Sequence, residues 1–101
     1  MKVGIDLDGT AWKYPFLFTE IVKGLKSQGH TVGIVTAHRG LREADLNLWA
    51  KRGFPKPDFY ISRDTYKGSH KTVKQLKLAM AKDLDYLIDD FDTDSIQIEA
   101  P

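Results

Sequence analysis

The chain has 101 residues, 42% apolar and 29% charged. That is an ordinary globular composition rather than the signature of disorder, and it is enough for one domain, expected over residues 1–101. Lys plus Arg number 15 against 14 for Asp plus Glu, so no global charge argues for a nucleic-acid or membrane partner. The absence of cysteine excludes disulfides, thiolate catalysis and cysteine metal sites. No apolar run approaches bilayer-spanning length, and Met1-Lys2-Val3-Gly4-Ile5 runs straight into acids, so no membrane association and a cytoplasmic location are expected.

In chain order, residues 2–7 form a short apolar run that ends in Asp-Gly-Thr, as a buried strand entering a functional loop would. Residues 15–28 carry Phe16, Ile21, Val22 and Leu25 at helical spacing, and Gly29 follows as a C-cap. A second strand is predicted over 31–36. A polar helix then presents Leu41, Ala44, Leu48 and Trp49 on one face as far as Gly53. Pro55 and Pro57 break the chain before a strand at 58–61, and residues 66–69 lead into a helix at 71–81. Residues 83–88 read as the next strand, and Ile96-Gln97-Ile98 as a short edge strand.

This alternation predicts an α/β fold with a mainly parallel sheet covered on both faces, because parallel strands require crossover connections. Ligands of such sheets bind beyond the carboxyl ends of the strands. Those ends read Asp6-Leu7-Asp8-Gly9-Thr10, Thr36-Ala37-His38-Arg39 and Asp89-Asp90. Converging carboxylates raise one another's pKa unless a cation intervenes, and oxygen-only ligands favour Mg²⁺. Thr36 offers a hydroxyl and backbone donors at a helix start, and Lys71 a compact charge, so a phosphoryl group could be held and its charge offset. Asp6 is then the candidate nucleophile and Asp8 the acid that protonates the leaving alkoxide and later activates water. Gly9 permits the turn between them and the rest of the loop.

With these residues in place, the chain resembles the haloacid dehalogenase superfamily of phosphatases. The matching motifs are Asp-x-Asp-Gly-Thr at Asp6 to Thr10, the threonine at Thr36, a lysine at Lys71 and the acid pair Asp89-Asp90. The first alone is expected on the order of once per thousand chains of this size. The resemblance implies a three-layer α/β/α Rossmann-like fold, with Asp6, Asp8, Thr36 and Lys71 catalytic. It implies Mg²⁺ held by Asp6, the Asp8 main-chain carbonyl, Asp90 and Asp89, with Asp94 a lesser contributor. An acid at Asp8 points to the phosphatase branch.

Gly9, Thr10, Ala37, His38 and Arg39 are the expected substrate-binding residues. Only residues 11–15 separate the signature from the first helix, so no cap domain is expected and the family's flap must be reduced. A second subunit of a homo-oligomer is one possible lid. The segments Leu87-Ile88-Asp89-Asp90 and His70-Lys71-Thr72-Val73, with Trp49, Gly53 and Asp58-Phe59, are similar to deoxyribonucleotidases and polynucleotide 3′-phosphatases. A nucleotide or nucleic-acid terminal phosphate is therefore the first substrate choice, and a sugar or other metabolite phosphate the alternative.

Other readings stand beside these. Lys67 and Lys74 can replace Lys71, and the series Lys67, Lys71, Lys74, Lys77 reads either as a polyanion track or as a solvated helix face. Trp12 and Tyr14 either stack on a substrate base or cover the core. From a different class, a phosphoryl-accepting receiver-type domain gathers similar residues, but with its paired acids after the first strand; a catalytically idle binding domain is the remaining rival.

Overall fold

A computed structural model of the protein describes residues 1–37, 41–63, 73–89 and 97–98. Strand β1 (Lys2–Ile5), helix α1 (Pro15–Ser27), strand β2 (Thr31–Thr36), helix α2 (Arg42–Lys51), strand β3 (Tyr60–Ser62), helix α3 (Val73–Met80), strand β4 (Tyr86–Asp89) and strand β5 (Gln97–Ile98) follow in the alternation the sequence predicts. The sheet order is β3-β2-β1-β4-β5. The first four strands run parallel and β5 lies antiparallel to β4. Each parallel step crosses over through a helix, and β1 is central.

The register sets Ile5 between Ile34 and Ile88, and Gly4 between Gly33 and Leu87. Strand alternation then sorts the apolar residues into two clusters. Val3, Ile5, Val32 and Ile34 join Phe18 and Val22 of α1 and Trp49 of α2. Val35 and Leu87 join Leu76 and Met80 of α3, with Leu84. Strands with helices over both faces read as continuous apolar runs, which is why 31–36 was legible as a strand without alternation. Gly33 is required by packing: a side chain there would collide with the Phe59 ring.

Two helix faces differ from expectation. In α1 the buried residues are Phe18, Thr19 and Val22, whereas Phe16 is 90% exposed; it lies about 200° around the helix from Phe18. In α2, Trp49 is buried but Leu41 is 78% exposed and Ala44 is exposed. Trp49 fixes the rotation by stacking on Phe54 with ring centroids 4.0 Å apart and donating its Nε1–H to the Pro55 carbonyl at 2.6 Å. Asp45, one turn earlier, is thereby turned inward, and its carboxylate accepts the Tyr60 hydroxyl at 2.5 Å, which satisfies a buried polar group.

Trp12 packs on Trp49 and Phe54 with centroids 6.3 and 6.4 Å away, under the Arg52 guanidinium at 4.9 Å. Of its two readings, core cover is the one observed, while Tyr14 is 50% exposed. Strands β3 and β4 each lie later in the chain than predicted, the second because residues Ala81–Asp83 make a short 3-10 turn. The 66–69 lead-in, Ile96 and the opening residues of the helix predicted at 71–81 lie outside the described residues. No helix among the described residues is long and apolar enough to cross a membrane.

Candidate active site

Because β1 to β4 are parallel, their carboxyl ends share one edge of the sheet. Asp6 follows β1, Thr36 closes β2, Ser62 closes β3 and Asp89 closes β4. The Asp6 backbone N–H donates to the Ile88 carbonyl at 3.0 Å, which carries the β1–β4 pairing one step past Ile5 and sets Asp6 beside Asp89. By alternation both carboxylates fall on the side of Gly4 and Leu87, the side covered by α3.

From α3, Lys77 meets them. Its Nζ donates to Asp6 Oδ1 at 2.5 Å and to the Val35 carbonyl at 3.2 Å, and lies 2.7 Å from Asp89 Oδ2. Three acceptors surround an ammonium with three donors. All three side chains are buried: Lys77 is 5%, Asp6 5% and Asp89 2% exposed.

The signature itself forms a kinked, non-helical turn over residues Leu7–Ala11, with Asp8 extended at φ −69° and ψ 126°, closed by the Ala11 N–H donating to the Asp6 carbonyl at 3.2 Å and the Trp12 N–H to the Leu7 carbonyl at 2.8 Å. Gly9 makes the turn possible with φ at +81°, a region that side chains resist. Thr10 is 1% exposed and donates its hydroxyl to Asp6 Oδ2 at 3.1 Å. Each Asp6 oxygen thus receives a donor, Lys77 on one side and Thr10 on the other. Through this bond Thr10, expected among the substrate-binding residues, also holds the nucleophile candidate. Asp8 is exposed on the same turn.

Burial pushes the Asp6 carboxyl from 3.8 up to about 7. The Lys77 charge opposes that rise, the Asp89 charge adds to it, and the hydrogen bonds from Lys77 and Thr10 lower it. Two buried carboxylates against one ammonium leave an excess negative charge on hard oxygen donors, a set suited to a divalent cation of the Mg²⁺ class. Among the described residues no three acidic or histidine side chains gather as a metal site; Asp90, the third acid of the expected set, lies outside them.

Thr36 is buried at the end of β2, paired in register with Ser62, and Ala37 is half-buried beyond it. His38, Arg39, Lys67, Lys71 and Asp94 lie outside the described residues, as does the side chain of Lys74. Two residues were missed by sequence reasoning. Ser62 carried no signal beyond its strand end. Lys77 did carry one: it adjoins Leu76 and precedes Met80 and Ala81 at helical spacing, so it stood on an apolar face and not on a solvated one. The lysine series therefore does not form one solvated stripe. In comparisons across known proteins, no family profile, curated protein or solved structure matches this chain.

Proposed function

We propose that the protein is a Mg²⁺-dependent phosphomonoester hydrolase of the haloacid dehalogenase type, a capless three-layer α/β/α domain that works through an aspartyl phosphate on Asp6. The observation that carries this reading is the buried Lys77 bridging Asp6 and Asp89 at the carboxyl edge of a parallel sheet. Such an arrangement costs desolvation energy and perturbs a carboxyl pKa, a combination that clusters at functional sites.

In the first step an Asp6 oxygen attacks phosphorus, the ester P–O bond breaks, and the leaving alkoxide takes the proton of the Asp8 carboxylic acid. In the second, Asp8 as carboxylate takes a proton from water, the new hydroxide oxygen bonds to phosphorus, and the Asp6–phosphorus link breaks to release inorganic phosphate. Thr10 and Lys77 hold the Asp6 carboxylate in one orientation throughout. We assign to Lys77, rather than to Lys71, the charge that faces the phosphoryl oxygens, with Thr36 and the backbone after it as partners. Mg²⁺, held by Asp6, the Asp8 carbonyl, Asp89 and Asp90, would neutralise phosphoryl charge.

The order of the acids supports a phosphatase over a receiver-type domain, since the single signature comes first and the pair last. Helix α1 begins only four residues after the signature turn ends at Ala11, which supports an open site for a nucleotide or nucleic-acid end, in a cytoplasmic protein whose second subunit serves as any lid. The test is release of a chromogenic phenol from an aryl phosphate with and without Mg²⁺. Wild type should turn over only with the metal and Asp6→Asn not at all; equal release by Asp6→Asn would sink the nucleophile assignment. A panel of mononucleotides, 3′-phosphorylated oligonucleotides and sugar phosphates then separates the substrate classes.

A further inference from the structure

A cleft of about 380 Å³ lies between α2 and the segment that leads into β3, within the size range of small-molecule sites. It is independent of the carboxylate site: Trp49, Phe54, Leu46 and Tyr60 belong to the apolar cluster on the α1 side, whereas Lys77 reaches Asp6 and Asp89 from α3. The cleft exists because α2 is held to the rest of the domain by Trp49 and by the Asp45–Tyr60 hydrogen bond, while its other residues are exposed or half-buried.

The walls are apolar and aromatic, and the charge at the rim is positive. Arg42 lies with its guanidinium 5.9 Å from the Tyr60 ring centroid, and Lys56 stands on the opposite wall. Among the described residues neither cation pairs with a carboxylate. The acids nearby are already engaged: Asp58 accepts the Val32 N–H at 2.8 Å and Lys26 Nζ at 3.0 Å, and Asp45 accepts the Tyr60 hydroxyl.

We propose that this cleft is a binding site for a small aromatic carboxylate, its ring system against the half-buried Leu46, Phe59 and Tyr60 above the Trp49–Phe54 stack, and its anionic group at the cationic rim to which Arg42 and Lys56 contribute. Apolar walls supply the burial and the two cations select for charge, the usual division of labour in small-ligand sites.

The experiment is a titration of the whole ¹⁵N-labelled chain with naphthoate in Mg²⁺-free buffer, followed by NMR, with methyl naphthoate as the uncharged control. The expected result is a saturable shift of the Trp49 indole N–H and of the amides between Phe54 and Tyr60, with the ester bound at least about fivefold more weakly, as loss of a partly screened charge contact predicts. The double variant Arg42→Gln with Lys56→Gln, both at exposed positions, should bring naphthoate to the affinity of the ester, while Lys23→Gln on α1 leaves it unchanged. Shifts that do not saturate, shifts centred on Asp6 to Thr10, an ester that binds as tightly as the acid, or a double variant with wild-type affinity would each overturn the proposal.

Discussion

The Asp6 carboxyl lends itself to a test that needs neither substrate nor metal. Folding raises its pKa from 3.8 to about 7, through burial first and the Asp89 charge after it, against the pull of Lys77. A carboxyl whose folded pKa lies above its unfolded value binds more protons in the folded state between the two, so it makes stability fall as pH rises through that window. Integrated from pH 5 to pH 8, the shift corresponds to a loss of about 3 kcal/mol. Asn at this position keeps the shape and an acceptor for Lys77 but has no charge to desolvate. Urea unfolding of wild type and Asp6→Asn in Mg²⁺-free buffer should show the variant gaining on wild type by about that amount between pH 5 and pH 8, with unchanged slope. A constant difference across the range would mean that Asp6 ionises at its ordinary value, and the account of the site as an over-crowded pair of acids would fail. Under the proposed function, added Mg²⁺ should erase the wild-type penalty and leave Asp6→Asn unaffected.

Lys77→Met should cost about 3–5 kcal/mol at pH 8, because it strands buried carboxylates rather than because the ion pair is worth that much, and the cost should shrink at pH 5 as Asp6 takes up a proton; urea unfolding at the two pH values checks it. The same variant should lose at least about a hundredfold in Mg²⁺-dependent aryl phosphate turnover. Gly9→Ala places a side chain at φ +81° and should cost about 1 kcal/mol in unfolding while lowering kcat through a displaced Asp8. Asp58 is held below its ordinary pKa by the Val32 N–H and then by Lys26, so its contribution is present above the unfolded value and is lost as pH falls through the folded one. Asp58→Asn should lower the thermal midpoint at neutral pH, and the gap from wild type should close in acid.

The strands and the order of elements were legible in the sequence because burial on both faces writes itself as apolar runs, and because Asp6 to Thr10 breaks the first run abruptly. What sequence could not show is helix rotation. Phe16 and Phe18 are equally apolar, and only the packing of Phe18 and Val22 against the Val3 and Ile5 side of the sheet decides between them. In α2 the single anchor Trp49 overrides a leucine pattern and turns Asp45 inward, which is affordable because Tyr60, distant in sequence, meets it. The lysine of the site was obscured for the same reason: Lys77 follows three other lysines at helical spacing, and a helix rotation that buries Leu76 and Met80 also directs Lys77 toward the strand ends.

Acids also occupy the opposite edge of the same sheet, and the contrast between the edges bears on what Asp6 and Asp89 are for. Near the amino ends of the strands, Asp85 Oδ2 accepts the Lys2 N–H at 2.6 Å and Asp58 accepts the Val32 N–H, each capping a strand start with a charge-assisted hydrogen bond to backbone. Both side chains are exposed, and Asp58 is shifted toward easier ionisation. At the carboxyl edge the same residue type is buried, gathered against its own kind and, at Asp6, shifted toward harder ionisation. A domain of 101 residues has little core to spare, and apolar residues in place of a buried ion triad are commonly neutral or stabilising. The amino-edge aspartates are therefore explained by the strand starts they close, whereas no strand start accounts for the buried Asp6, Lys77 and Asp89, and under the proposed function their geometry is accounted for by phosphoryl chemistry.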